Sequence, residues 1–322
     1  MSKIILGNMN IGMKGFIRMR TINKFSGKCR IDTGWFPNTI LTSGRNVMAD
    51  HSLWMTFCQV GTNGTFPVAL IDRQAETSLG NWVAGTNNDI DESYGQSGTA
   101  PYYGWKRRTF RFLAGTVAYN LQEAGVGWAD GSAPGNSLIS RAPILDPVLG
   151  TPTTVTPLID EMLDVMYELR YYPPLIDITV PQITLDGIVY NTITRAANVT
   201  GSRWSAYIGD KMGVKAGTDW TAYDGDLGTI VQAPSGATAG SAGSNQTNGS
   251  YVQNSYSILM QCSTGTGGWN LGLGIRSLIV HTSAGDYQTQ FNAVGTDNRI
   301  PKTTNYTMNM YWTLSWSEYV AP

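Results

Sequence analysis

The sequence predicts a mainly β protein: two β-sandwich-like modules related by an internal duplication, with one short helix near the N-terminus. Three observations carry this. First, from Tyr306 every second residue is large and apolar (Tyr306, Met308, Met310, Trp312, Leu314, Trp316), while those between are small or polar, with no charge before Glu318. A period of two marks an extended strand with one buried and one open face, so these six residues are the expected spine of a sheet. Second, 37 glycines, 16 tyrosines and 10 tryptophans, with abundant Thr, Ser and Asn, favour strands joined by turns over helices. Third, the closing strand has a counterpart. Leu163, Val165, Tyr167, Leu169 and Tyr171 match Met308, Met310, Trp312, Leu314 and Trp316, each 145 residues later.

Along the chain, the opening 35 residues contain short strand-like pieces such as Gly15–Thr21 (GFIRMRT). The stretch "TILTSGRNVMADHS" places Ile40, Leu41, Gly44, Val47, Met48 and His51 at a spacing of three to four, which predicts a short helix. A strand over Trp54–Val60 follows, ended by Gly-Thr-Asn-Gly. Residues 72–104 are polar and glycine-rich and are expected to form a loop excursion. Strands resume with "RRTFRFLAGTVAYNLQEAGVGWA", and "SLISRAPI" and "PTTVTPLIDEMLDVMYELRYYPP" close this half. The segment from Thr156 to Arg170 also fits a helix template, with Thr156 as N-cap and Pro157 at the first turn. Its match to the C-terminal strand decides for strand.

Pro173-Pro174 is the expected boundary, dividing an N-terminal module (1–173) from a C-terminal one (174–322). Residues 233–250 (APSGATAGSAGSNQTNGS) cannot supply a core and are expected to be a flexible loop. Strands return at "SYSILMQCS" and "LGIRSLIVHTS".

Charged residues make up only 14% of the chain and the net charge is −1, against about 25% charged residues in ordinary soluble domains. So weakly charged a surface protects a monomer poorly against association, which points to a permanent homo-oligomer. Without a basic excess, no nucleic-acid partner is expected. No run of eighteen apolar residues exists, so no membrane insertion is expected. Met1–Leu6 lacks the apolar core of a signal peptide.

Chemistry is scarce. Cys29, Cys58 and Cys262 are too few and too scattered for a disulfide framework or zinc site, and His51 and His281 sit among apolar residues. "NNDIDESYGQSG" spaces Asn87, Asp89 and Asp91 as cation ligands, but Glu92 and Gly98 break the calcium-loop pattern. "STGTGGWNLGLG" lacks the lysine and helix start of a phosphate cradle and reads as a hairpin turn. Asp160, Glu161 and Asp164 cluster, but on one strand rather than across a cleft. No catalytic, metal or cofactor site is therefore expected. The contact candidates are Trp82, Tyr94, Tyr102, Tyr103 and Trp105, aromatic residues of the polar excursion. They suit either the sugar rings of a host cell-surface glycan or a neighbouring subunit, since interfaces are enriched in aromatics.

Several stretches together resemble tailed-bacteriophage virion proteins. "TILTSGRNVMAD" followed by "FCQVGTNGTFPVALIDRQAETSLGN" is similar to a helix, strand and VGTG-type turn near the start of many of them, and "RRTFRFLAGTVAYNLQEAGVGWA", "SLISRAPI" and "DEMLDVMYELRYYPP" resemble further segments. The similarity covers residues 38–174, and the C-terminal half joins it through the duplication and "IPKTTNYTMNMYWTLSW". "VGTN" departs from the usual second glycine. The resemblance implies a non-enzymatic structural protein of the virion (tail, baseplate or tail appendage), with other virion proteins as partners, and carries over no active-site residue.

Overall fold

The computed structural model describes residues 5–63, 79, 81–128, 138–185, 187–215, 220–240, 245–293, 299–305 and 307–321. The chain is mainly β, in two sheets, one of them curled. Its first strand, β1, runs from Ile5 to Asn23. The short strand-like pieces expected there are one 19-residue element. Leu6, Met9, Ile11, Met13, Ile17 and Met19 are buried on one side, and Lys14, Phe16, Arg18 and Arg20 alternate with them on the other.

After β1 come β2 (Cys29–Asp32), β3 (Phe36–Ile40) and the six-residue helix α1 (Thr42–Val47), which realises the expected helix in shorter form. β4 (Phe57–Gly61), β5 (Trp82–Thr86), β6 (Asp89–Gln96), β7 (Gly104–Phe112), β8 (Glu123–Gly127) and β9 (Leu138–Pro143) follow. Next are β10 (Glu161–Tyr172), β11 (Ile178–Leu185), β12 (Ile188–Ala197), β13 (Thr221–Tyr223) and β14 (Thr238–Gly240). The last are β15 (Asn245–Asn248), β16 (Ser257–Thr264), β17 (Ser277–Thr282), β18 (Gly285–Ala293) and β19 (Met308–Glu318).

β1 organises the 13-stranded sheet. One edge carries β10, antiparallel, from Gly12 opposite Tyr172 to Asn23 opposite Glu161. The other edge is shared: β19 runs parallel along Ile5–Met13, β3 pairs at Gly15–Ile17 and β2 at Arg20–Ile22. β16 and β15 extend the sheet beyond β19, while β9, β8, β4 and β5 extend it beyond β3. β7 and β6 continue from β10, and the sheet curls until β5 returns beside β7. β10 and β19, whose sequences align, thus lie on opposite sides of β1, one antiparallel and one parallel to it. Pro173-Pro174 separates β10 from β11, but the large sheet takes strands from both sides of that point.

The six-stranded sheet, in the order β11-β12-β18-β17-β13-β14, covers the β1–β19 region. Contact is close: a Cβ on Gly7 would overlap the Thr194 side chain, and the Thr192 hydroxyl donates to the Leu6 carbonyl at 2.7 Å. Trp312 joins the layers. Its ring meets Trp220 edge-on at 5.1 Å and its Nε1 donates to Thr289 Oγ1 at 3.0 Å. In the expected spine, Met310, Trp312, Leu314 and Trp316 are buried and Met308 is half-buried, while Tyr306 lies outside the described residues. In β10, Leu163, Val165, Tyr167, Leu169 and Tyr171 are all buried, which settles that segment as strand from Glu161 onward.

Three sequence expectations need correction. The polar excursion over 72–104 contains β5, β6 and the start of β7; its described part is not a loop. Charge is the reason, since Lys106 pairs with Glu92 at 2.9 Å and Arg108 with Asp89 at 2.9 Å, supporting a ladder that apolar periodicity cannot reveal. The low-complexity segment 233–250 yields β14 and β15, which need only backbone pairing with β13 and β16. "STGTGGWNLGLG" is no hairpin turn, because it leads from β16 in one sheet to β17 in the other. Buried Trp269 anchors it, donating to the Trp220 carbonyl at 3.0 Å, and Lys302 Nζ donates to Asn270 Oδ1 at 3.1 Å.

Two predictions follow from this packing. Trp312→Ala removes the indole between the layers and is expected to lower the unfolding free energy by about 3–5 kcal/mol, read from urea denaturation. The second concerns acid. Arg18 holds the Asp32 carboxyl, and Arg30 the Glu161 carboxyl, below the usual carboxylate range, although burial opposes both shifts. A depressed folded value contributes stability that is present above the unfolded value, near about 4, and is lost as pH falls through the folded value. Asp89, raised by burial, acts in the opposite sense. The urea midpoint should fall on acidification from about pH 5 to about pH 2. Glu161→Gln should be less stable at neutral pH and should lose less over that interval.

Candidate aromatic cleft

The register of β10 against β1 and β7 sets the chemistry of the outer sheet face. Asp164 lies opposite Arg111 and Glu168 opposite Arg107. Both pairs close: Arg111 Nε and Nη2 reach the two Asp164 oxygens at 2.6 and 2.7 Å, and Arg107 Nη2 reaches Glu168 Oε2 at 2.6 Å. Asp160 accepts from Asn23 Nδ2 at 2.6 Å, and Glu161 accepts from Arg30 at 2.7 Å. The three clustered carboxylates are thus each engaged with the frame. Cations also lie over rings: Arg107 sits 4.9 Å from Trp35 and 5.0 Å from Trp105, and Arg170 sits 4.3 Å from Phe16 and 4.5 Å from Tyr103.

This ladder leads to a cleft. Tyr103 meets Tyr172 at 5.4 Å, and Tyr172 stacks on Tyr319 with centroids 3.7 Å apart and planes within 8°. The stack depends on Gly12, which lies opposite both Tyr172 and Ser317. A Cβ there would come within 2.9 Å of the Tyr319 ring. Tyr319 is fixed from below by its N–H, which donates to the Met13 carbonyl at 2.7 Å. Pro173-Pro174 stops β10 just after Tyr172, because proline has no N–H to continue a ladder.

The resulting cleft, about 450 Å³, is lined by Pro101, Tyr102, Tyr172, Leu175, Ile176 and Tyr319, with the two prolines, Asn10, Gly12, Ser317, Glu318 and Val320 completing the wall. Glu318 is the one charged side chain among the described lining residues. Burial raises the Tyr172 hydroxyl above the ordinary phenol range, against the pull of Arg170. Flat rings, proline faces and a single carboxylate can receive an apolar or ring-shaped group by stacking.

Of the five aromatic candidates, Tyr102 lines this cleft. Tyr103 and Trp105 are held in the ladder; Trp105 lies across Gly95, where a Cβ would come 2.8 Å from its ring. Trp82 (46% exposed) on β5 and Tyr94 (54% exposed) on β6 project singly and do not join the cleft. Sequence reasoning missed Tyr172 and Tyr319 as site residues. A tyrosine directly before Pro-Pro was the available signal for Tyr172; nothing local pointed to Tyr319.

Asp89 and Asp91 lie on strand β6, and among the described residues no three His, Cys, Asp or Glu side chains form a group able to hold a metal ion. No described helix is long and apolar enough to cross a membrane. No protein-family model, curated protein or solved structure matches the chain.

Tyr319→Ala should leave the far-UV circular dichroism unchanged, remove the aromatic couplet from the near-UV spectrum and cost about 0.5–1.5 kcal/mol beyond lost burial.

Proposed function

We propose that the chain is a structural component of a bacteriophage particle, assembling as a homo-oligomer in the tail, baseplate or a tail appendage. The resemblance of residues 38–174 to tailed-phage virion proteins supplies the setting. The observation that carries the self-association is exposed apolar surface at both ends of the large sheet. At one end Phe25 is 80% and Ile159 71% exposed; at the other Ile176 is 79% and Val320 82% exposed. Contiguous apolar patches with a polar rim mark contact surfaces, and Ile176 and Val320 border one cleft together with Leu175. The low charge of the whole chain adds to this.

A second reading is favoured by the cleft itself: a receptor- or glycan-binding module in which Tyr102 and Tyr319 stack on a sugar ring. A decoration protein of the capsid would use the same self-associating surfaces. Both place the chain on the virion and neither requires catalysis.

Immunogold labelling of purified particles with antibody against the chain should mark the tail or its baseplate in repeated copies. Particles that form and infect without the chain would overturn the assignment. A glycan array bound by the wild type and lost in Tyr102→Ala would select the second reading.

A further inference from the structure

The two apolar ends of the large sheet differ in shape. At one end the β1–β2 turn presents a rigid knob. Asn23 Oδ1 accepts from the Phe25 N–H at 3.1 Å and the Ser26 N–H at 2.9 Å, while the Asn23 N–H donates to the Lys28 carbonyl at 3.0 Å. The Gly27 N–H donates to the Asn23 carbonyl at 2.9 Å, with Gly27 in the left-handed region at φ +67°, which glycine adopts without strain. The turn is also tied down from outside, since the Lys24 N–H donates to the Asp160 carbonyl at 3.0 Å. Phe25 stands at the tip with Lys24 Nζ 4.8 Å over its ring, and Lys28 is exposed beside it. At the other end is the cleft: concave, aromatic and proline-walled, with Glu318 as its charged liner.

We infer that the Phe25 knob of one copy docks into the Tyr102–Tyr172–Tyr319 cleft of another, giving a head-to-tail, heterologous contact. The inference rests on the reading of the chain as a self-associating subunit and specifies how it associates. Three observations select a second copy as the occupant. The signs are complementary, with two lysines flanking the knob and a glutamate in the cleft. The knob is preorganised, so docking orders little chain and loses little entropy. Finally, knob and cleft cannot meet within one molecule. They sit at opposite ends of the β1–β10 ladder, with Asn23 opposite Glu161 at one end and Gly12 opposite Tyr172 at the other. Those twelve paired residues span roughly 35–40 Å of extended chain. A heterologous contact of this kind closes into a ring or propagates as a filament.

The test uses two variants on exposed positions, Phe25→Asp for the knob and Ile176→Glu for the cleft, each checked for wild-type circular dichroism. By sedimentation velocity the wild type should show concentration-dependent species larger than a dimer, and each variant alone a roughly tenfold or larger loss of association. Mixed in equal amounts, the variants should form a dimer and nothing longer, because one intact knob meets one intact cleft. A wild type that sediments as a monomer at every concentration overturns the proposal. So does a variant that associates like the wild type, or a mixture that forms no dimer. Absence of the chain from phage particles would remove the virion assignment while leaving this pairing intact. Particle labelling combined with failed pairing would do the reverse.

Discussion

Everything in this fold is referenced to the backbone ladder of one strand. β1 offers two edges over nineteen residues, and four strands use them, two adjacent in sequence and two remote: β10 on one side, and β19, β3 and β2 in turn on the other. A buried strand must have its N–H and C=O groups paired, so the register of each partner is fixed by β1 rather than by its own neighbours. A slip of one residue would turn Leu163, Val165 and Tyr167 outward and bring Asp164 and Glu168 into the core. Pairing the last strand beside the first also requires closing a loop of nearly the whole chain, an entropic cost that local contacts cannot offset early in folding.

The same register produces the outer face. Because β10 presents Asp164, Glu168 and Arg170 on the side away from the core, its neighbours β7 and β1 meet them with Arg111, Arg107, Lys14 and Phe16. Arg107, Arg111 and Arg170 are consumed in pairs and over rings, which leaves that face polar with most of its charge paired. Such a surface has little left to offer a partner. The ends of the strands differ: there the ladder stops, prolines and turns take over, and Phe25, Leu113, Leu158 and Ile159 at one end, and Leu175, Ile176 and Val320 at the other, stay in water. The separation of a satisfied face from unsatisfied ends is what gives the molecule directional surfaces.

The legible parts of the sequence were those where burial alone writes the pattern. Met310 to Trp316 in β19 and Leu163 to Tyr171 in β10 alternate because one face of each is core. β1 alternates just as regularly, but with glycines at positions 7, 12 and 15 and methionine in place of branched residues its signal is weak, and only Gly15–Thr21 stood out. β5 and β6 were hidden because charge pairs rather than apolar contacts hold β6 to β7. β14 and β15 were hidden because backbone pairing needs no particular side chain.

The site followed the same division. Tyr102 was accessible as an aromatic residue in polar company, and the run of aromatics from Tyr102 to Trp105 lies beside the cleft that Tyr102 lines. Tyr319, more than 200 residues away, reaches Tyr172 only because β19 and β10 share β1 and because Gly12 leaves room for the stack. Composition and period-two alternation determined by themselves that this chain is built of sheets with a sparing use of charge, since both are local consequences of which side chains meet water. Which strands became neighbours, and therefore which rings line a cleft and which arginines are spent, was decided only in three dimensions. Hydrogen-bond register between distant segments leaves no mark on either sequence taken alone.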